Sequence, residues 1–142
     1  MEYKVVAHNS ERYWKLVSLR DEILRKPLDL TFSEEELALE NNQIHLGIFD
    51  NDKSIGSLSL VKNSNKELKM RQVCIASPLQ GKGIGRKMVE FSEDFGKQKG
   101  FSKMVLHARE VAQEFYLALD YKIIGEQFEE VGIPHYKMEK LM

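Results

Sequence analysis

A glycine-rich segment, Gln80–Gly85, is the part of this sequence best suited to chemistry. It lies between a strand-like run and a strongly amphipathic helix pattern, and three of its last five residues are glycine. The N–H groups in the first turn of a helix lack partners inside the helix, and the helix dipole adds positive charge there. Glycines also let a ligand approach the backbone closely. The segment therefore predicts a phosphate-binding site.

Two common phosphate-binding motifs do not fit this segment. A dinucleotide-binding fingerprint counted from Gly81 needs a glycine at its sixth place, where Arg86 stands. A nucleotide triphosphate loop needs Ser or Thr after Gly-Lys, but Gly83 follows Lys82. Both motifs are disfavoured, and a tight turn that binds no ligand stays an alternative.

Candidate proton acceptors gather near the end of the chain. Glu126, Glu129 and Glu130 cluster between two predicted strands, and His135 follows Pro134, whose ring fixes the approach to the last strand. Carboxylate and imidazole groups serve as general bases in many enzymes. The alternatives are a solvated loop charge for each carboxylate and a structural ring at a strand end for His135.

Other reactive side chains are assigned structural roles. Cys74 lies inside a predicted strand without a base nearby in the sequence, which favours a small buried side chain over an acyl-transferring nucleophile. The spacing around His8, His45 and His107 does not match a set of metal ligands, so we predict no metal site. Arg20 is expected at the solvated surface, with a role in binding an acidic acceptor as the alternative.

Hydrophobic periodicity and boundary signals predict the elements that position these residues. Ser10 predicts the start of a first helix that ends at Pro27, and Ser33 with Glu36 forms a capping box. The predicted strands are Tyr3–Ala7, Ile44–Phe49, Ser54–Val61, Glu67–Ile75, Met104–Leu106, Tyr121–Ile124 and His135–Met138, and the later helices are Glu34–Glu40, a long helix from Ile84 that stops before Gly100, and one from Ala112 to Leu119. This order predicts an α+β domain with a mixed sheet and helices on both faces.

Length and composition limit the class of protein. The 142 residues are typical of one domain, so residues 1–142 are predicted to form a single domain. A hydrophobic content of 42% excludes a mainly disordered chain. The net charge of −1 argues against nucleic acid or an anionic membrane as the main partner. The single cysteine excludes an internal disulfide and fits a cytoplasmic location.

The segment Val73–Leu79 followed by Gln80–Gly85 resembles the acyl-CoA signature, Q/R-x-x-G-x-G/A, of the GNAT N-acetyltransferases, with Gln80, Gly83 and Gly85 at its fixed places. The later pattern Ala112-x-x-Phe115-Tyr116 looks like the A-x-x-F/L-Y helix of that family. His107-Ala108-Arg109 and Gly132-Ile133-Pro134-His135 resemble its ElaA-like branch. Two positions depart from the family pattern, since Arg109 stands where many members have asparagine and Asp120 where glycine is usual.

The resemblance implies a single-domain GNAT-like fold, with a mainly antiparallel sheet in which two central strands splay apart to admit acetyl-CoA. It implies that the pantetheine arm pairs with the backbone of Val73, Cys74 and Ile75. The backbone N–H groups from Gly81 to Arg86, that is Gly81, Lys82, Gly83, Ile84, Gly85 and Arg86, would hold the pyrophosphate, with Lys82, Arg86 or Lys87 near the phosphates. Gln80 is a further cofactor-binding residue, and Arg109 stands at the cofactor contact that asparagine makes elsewhere.

The resemblance also implies an activity, N-acetyl transfer from acetyl-CoA to a primary amine of a small molecule or peptide, by direct attack in a ternary complex. Tyr116 matches the family's tyrosine acid, and Glu130 and His135 are taken as the candidate bases. The alternative is a catalytically silent CoA-binding sensor or interaction module. A homodimer through the last strand is a further expectation from the family.

Overall fold

A computed structural model describes all 142 residues of the chain. Its α-helices are α1 (Glu11–Arg20), α2 (Glu34–Ala38), α3 (Ile84–Gln98) and α4 (Gln113–Leu117). Its strands are β1 (Glu2–Val6), β2 (Ile44–Asp50), β3 (Lys53–Lys62), β4 (Glu67–Ile75), β5 (Lys103–Arg109), β6 (Lys122–Glu130) and β7 (Ile133–Leu141). No helix is both long enough and apolar enough to cross a membrane.

The seven strands form one mixed sheet in the order β1-β2-β3-β4-β5-β7-β6. Pairing is antiparallel between β1 and β2, β2 and β3, β5 and β7, and β6 and β7, whereas β4 and β5 run parallel. The expected α+β class and mainly antiparallel sheet are confirmed. The last strand, β7, lies between β5 and β6 and has no free edge, so the expected homodimer through the last strand stays a prediction.

The chain packs as two compact units. The first unit contains Met1–Val61 and Gln72–Ser92, and the second contains Lys62–Arg71 and Glu93–Met142.

Helices cover both faces of the sheet in the first unit. A methyl group on Gly47 would lie 2.7 Å from the Leu16 side chain of α1. Gly56, which pairs with Ile48, faces the other way, and a methyl group there would lie 3.1 Å from Met88 of α3. Because neighbouring strand residues point to opposite faces, α1 and α3 pack on opposite sides of β2. This confirms the expected layering.

Local signals set the helix boundaries largely as predicted. Ser10 accepts a hydrogen bond from the Tyr13 N–H at 3.2 Å, and Ser33 accepts one from the Glu36 N–H at 3.1 Å, as N-cap residues do. The regular part of α1 ends at Arg20, and one π turn and one 3₁₀ turn continue to Leu28. The first helix therefore loosens before Pro27 rather than at it.

The last two strands are longer than Tyr121–Ile124 and His135–Met138. Val131 and Gly132 both have positive φ and join β6 to β7 in a tight turn of hairpin type. Glu126, Glu129 and Glu130 therefore lie in strand β6, and the prediction that they occupy a loop is wrong. A polar run resembles a loop, but an edge strand also tolerates charge along its length.

Candidate active site

The loop before α3 has the backbone geometry of an anion site. Gly81 and Gly83 have φ of 79° and 81°, and nothing outside the adjacent chain lies within 4 Å of a Cβ built on either residue. The Gly83 carbonyl accepts from the Lys87 N–H at 3.3 Å, which makes Gly83 the N-cap of α3. The N–H groups from Gly83 to Arg86 therefore lack helical partners, at the positive end of a 15-residue helix.

Side chains around this loop supply positive charge and a brace. Lys82 and Lys87 are exposed, and the Arg86 Nε donates to the Glu90 carboxylate at 2.8 Å from a largely exposed position. Gln80 Nε2 donates to the Ile75 carbonyl at 3.0 Å, so this side chain ties the loop to the end of β4. The buried side chain of Ile84 anchors the first turn of α3.

The end of β4 is bent directly before Val73–Ile75. Gln72 has φ of 54°, a left-handed value that is uncommon for a residue with a side chain. Both polar atoms of its side-chain amide form hydrogen bonds. Arg20 donates to Oε1 at 3.1 Å, and Nε2 donates to Glu40 at 3.4 Å. The strand that follows this bend therefore has a fixed start.

The pairing of β4 with β5 is short. It covers Glu67–Met70 opposite Lys103–Leu106, while both strands continue beyond these residues. The register ends one residue before Arg71, close to the bend at Gln72.

Cys74 is buried in β4, as predicted. Loss of hydration raises the pKa of its thiol to about 12. Because the thiolate is the nucleophilic form, this environment disfavours Cys74 as an acyl-transferring nucleophile.

Tyr116 lies on α4 and is 6% exposed. Its ring packs against Phe115 and Tyr121, with centroid distances of 4.9 and 5.7 Å. Burial raises the pKa of Tyr116 above its ordinary value, so its hydroxyl stays protonated at neutral pH and can donate a hydrogen bond.

Glu130 and His135 lie together, and the structure adds His107 to them. Glu130 Oε1 is 3.0 Å from His107 Nδ1, and Glu130 Oε2 is 3.6 Å from His135 Nε2. The Phe128 ring packs edge-on to His107 and stacks with His135, at centroid distances of 5.0 and 5.9 Å. We call His107, Phe128, Glu130 and His135 the two-histidine cluster.

The other predicted polar residues near the chain end fall outside this cluster. Glu126 lies where the register of β6 shifts, between Ile124 and Phe128. Glu129 alternates with Glu130 and so points to the opposite face of β6. Arg109 ends β5 and is the register partner of His135, next to the cluster.

The structure departs from the sequence-based expectations at two further residues, His107 and Arg20. From the sequence, His107 is weighed only as a metal ligand and as part of the ElaA-like pattern, because the predicted strand ends at Leu106. In the structure, β5 continues to Arg109, so His107 and Arg109 lie on the same face of the strand. Arg20 was expected in solvent, but it is 1% exposed and donates to Glu40 at 2.8 and 3.1 Å. No group of three or more His, Cys, Asp or Glu side chains is arranged to hold a metal ion.

A family model described as an acetyltransferase (GNAT) domain matches residues 22–142. The chain belongs to the GNAT acetyltransferase family. It is an acyl-CoA-dependent N-acetyltransferase by that membership. A Bacillus subtilis relative, the uncharacterized N-acetyltransferase YjcF, is 27% identical over 137 residues, which cover 96% of this chain and 97% of the relative.

Solved structures of GNAT proteins share the fold. An aminoglycoside 6'-N-acetyltransferase complexed with coenzyme A matches with a TM-score of 0.83 and 18% identity, over 99% of this chain and 97% of that one. Escherichia coli ElaA matches with a TM-score of 0.81 and 17% identity, over 98% of each chain. Likeness at this level of identity establishes the GNAT fold, and the assignment to an ElaA-like branch stays a prediction.

Proposed function

We propose that residues 1–142 act as one catalytic domain that transfers the acetyl group of acetyl-CoA to a primary amine of a small molecule or peptide. The amine attacks the thioester directly in a ternary complex. The observation that carries the proposal is the open loop before α3, where two glycines with positive φ precede the free N–H groups of a long helix.

The loop binds the pyrophosphate of acetyl-CoA through the backbone N–H groups from Gly81 to Arg86. Lys82 and Lys87 are exposed beside these groups and add charge, and Arg86 joins them with the guanidinium nitrogens that Glu90 does not use. Gln80 contributes by holding the loop against Ile75.

The backbone of Val73, Cys74 and Ile75 pairs with the pantetheine arm. The end of the β4–β5 pairing at Met70 and the bend at Gln72 support this role, because the strand changes course just before these residues. An N–H on this strand is also the candidate donor to the oxyanion of the tetrahedral intermediate. Arg109 is the candidate cofactor contact on β5.

Chemistry at the amine requires loss of a proton. A lysine-like ammonium with a pKa of about 10.4 lies about 3.4 pH units from neutrality, which corresponds to about 4.6 kcal/mol for free deprotonation. The proton is received within the two-histidine cluster, which contains Glu130 and His135, the two candidate bases predicted from the sequence.

Tyr116 donates a hydrogen bond to the sulfur as the C–S bond breaks. Full proton transfer from a tyrosine of ordinary pKa to a thiolate is already uphill by about 2 kcal/mol. Burial raises the pKa of Tyr116 further, so the proton that completes the thiol comes from the ammonium of the tetrahedral intermediate.

Calorimetry and a thiol-release assay test this function. We expect acetyl-CoA to bind with one-to-one stoichiometry, and thiol to be released with at least one of four probes: cadaverine, glucosamine, glycine ethyl ester and a lysine-containing tripeptide. Binding without thiol release from any probe would favour the alternative, a silent CoA-binding module. Absence of acetyl-CoA binding would overturn the proposal.

We also propose a cytoplasmic location and consider which strands a homodimer could use. The free, buried thiol of Cys74 is compatible with the reducing cytoplasm, where acetyl transfer would take place. A homodimer, if formed by strand pairing, would use β6 or β1, since these two strands end the sheet.

A further inference from the structure

The two-histidine cluster occupies one face of three neighbouring strands in the second unit. His107 is on β5, Glu130 is on β6 and His135 is on β7, so three separate elements bring these groups together. The lysines beside the cluster are Lys137, the register partner of His107, and Lys69 on β4, whose charge acts on Glu130. The cluster is therefore a built arrangement of titratable groups.

Hydrogen-bond geometry commits the nitrogens of His135. Its Nδ1 lies 2.7 Å from the Ile133 carbonyl, which can only accept, so Nδ1 carries a hydrogen. Its Nε2 faces Glu130, and the side chain is 5% exposed. This ring is therefore held by its Nδ1 hydrogen bond, and burial keeps its Nε2 away from reactants.

The same argument fixes the tautomer of His107. An ionised carboxylate only accepts hydrogen bonds, so the 3.0 Å contact with Glu130 places a hydrogen on His107 Nδ1. In the neutral ring, Nε2 then carries a lone pair. Because the side chain is 27% exposed, His107 presents that lone pair from a ring that reactants can reach.

We propose that His107 is the general base of the acetyl transfer and that Glu130 and His135 are positioning residues. This inference rests on the proposed function. Nε2 of His107 takes one proton from the acceptor ammonium, and the ring becomes an imidazolium. Its Nδ1–H stays hydrogen-bonded to Glu130. Glu130 orients the ring and stabilises its positive charge, as the carboxylate partner of a catalytic histidine does.

The proton balance closes without another reactant. The acceptor nitrogen uses its freed electron pair to form the C–N bond, and the C–S bond breaks with its electron pair on sulfur. The second nitrogen proton passes to that sulfur, giving the amide and coenzyme A thiol. The imidazolium of His107 returns its proton to water, to which the ring is partly exposed.

Glu130 is less suited to this role than His107. Burial alone would raise its pKa, but the hydrogen bond and charge of His107, with the charges of His135 and Lys69, lower it overall. A carboxylate stabilised in this way is a weak acceptor for an ammonium proton, whereas Nε2 of neutral His107 has a lone pair that no group in the cluster uses.

Nitrogen NMR of the full-length protein tests the arrangement independently of turnover. We expect the neutral ring of His107 to carry its hydrogen on Nδ1 in the wild type and to lose that fixed tautomer in Glu130→Gln. Glu129→Gln, which changes a carboxylate on the opposite face of the same strand, should leave the tautomer unchanged. A hydrogen on Nε2 of wild-type His107 would overturn the proposal.

Kinetics with the fastest of the four probe amines test the role itself. We expect His107→Gln to lower kcat/KM at pH 7 by about 100-fold, within the range for loss of a general base, and to remove the acidic limb of the pH profile. Acetyl-CoA binding by calorimetry should stay within twofold, and His8→Gln should behave as wild type. Retained turnover in His107→Gln would overturn this inference alone, whereas an inactive wild type would overturn the proposed function.

Discussion

At the scale of single residues, burial and partners decide which proton each side chain can move. Tyr116 and Cys74 lie in apolar surroundings that raise their pKa, so both stay protonated at neutral pH. Burial alone would raise the pKa of Glu130, but the hydrogen bond of His107 and the nearby imidazole and lysine charges lower it overall. These directions favour the proposed roles, with a protonated hydroxyl at Tyr116 and a charged carboxylate at Glu130.

Replacement of Tyr116 by phenylalanine tests the donor role. Tyr116→Phe keeps the ring that packs on Phe115 and Tyr121 but removes the hydrogen bond to the leaving sulfur. We expect kcat to fall by about 10- to 100-fold, the effect of one lost donor to a developing charge, while acetyl-CoA affinity stays close to wild type. The measurement is thiol release at saturating amine.

The matched control is Tyr3→Phe, since Tyr3 also packs on an aromatic ring, Phe91, at 5.5 Å. This variant should turn over like the wild type. If Tyr116→Phe kept full kcat at saturating amine, Tyr116 would have no part in the chemical step.

At the scale of elements, a glycine marks each end of the long helix α3. Gly83 is the N-cap residue, and Gly100 follows the C-terminus. There the Phe101 N–H donates to the Gly96 carbonyl at 2.9 Å and the Gly100 N–H donates to the Lys97 carbonyl at 3.0 Å. These two hydrogen bonds together form a Schellman motif. Both glycines have positive φ and open space around a built Cβ, but only Gly83 faces the proposed ligand.

Because Gly83 and Gly100 have similar backbone conformations, alanine variants of the two can be compared directly. Gly83→Ala and Gly100→Ala should each lower the free energy of unfolding by about 1–2 kcal/mol, because an alanine in the left-handed region is strained. Only Gly83→Ala should also weaken acetyl-CoA binding, by about 10-fold or more, since its methyl group would stand where the backbone approaches the phosphates. Denaturant unfolding and calorimetry measure the two effects.

An equal change of acetyl-CoA affinity in both variants would argue that the loss is a general effect of destabilisation. An unchanged affinity in Gly83→Ala would remove the loop from the binding site.

Local patterns predicted the elements whose signals lie within a few residues. The 15-residue helix α3, the capped start of α1 and the bounds of β4 all follow from periodicity, capping residues and β-branched runs. The extent of β6 did not, because Glu126 and Glu129 have a composition that loops and edge strands share. Only its pairing with β7 makes it a strand.

At the scale of the whole molecule, the proposed cofactor loop could be predicted from the sequence, and the proposed base could not. The loop is one continuous segment, so its glycines and the helix after it are adjacent in sequence. The two-histidine cluster draws His107, Glu130 and His135 from three strands, and only the register of those strands brings the groups together. Contacts between distant segments cannot be inferred from spacing alone.

Stability also depends on a contact between distant segments, the buried pair Arg20 and Glu40. Tyr13 donates to the same carboxylate at 2.8 Å, and Gln72 donates to it at 3.4 Å. Burial alone would raise the pKa of Glu40, but the hydrogen bonds and charge of Arg20 outweigh this and lower it. A lowered folded-state pKa means that Glu40 stabilises the fold above its unfolded pKa, near 4.5, and that this contribution is lost as the pH falls through the folded value.

We therefore expect Glu40→Gln to lower the free energy of unfolding at pH 7 by about 3–5 kcal/mol, because it leaves the Arg20 charge buried without its partner. The double variant Arg20→Met, Glu40→Gln should recover most of that loss and flatten the decline in stability below pH 4.5, since neither buried charge remains. Glu90→Gln, which breaks an exposed pair with Arg86, should cost less than about 1 kcal/mol. Urea unfolding between pH 3 and 7 measures the free energy of unfolding of all three variants. A double variant as unstable as Glu40→Gln would show that the apolar packing around Arg20, not the ion pair, stabilises this part of the first unit.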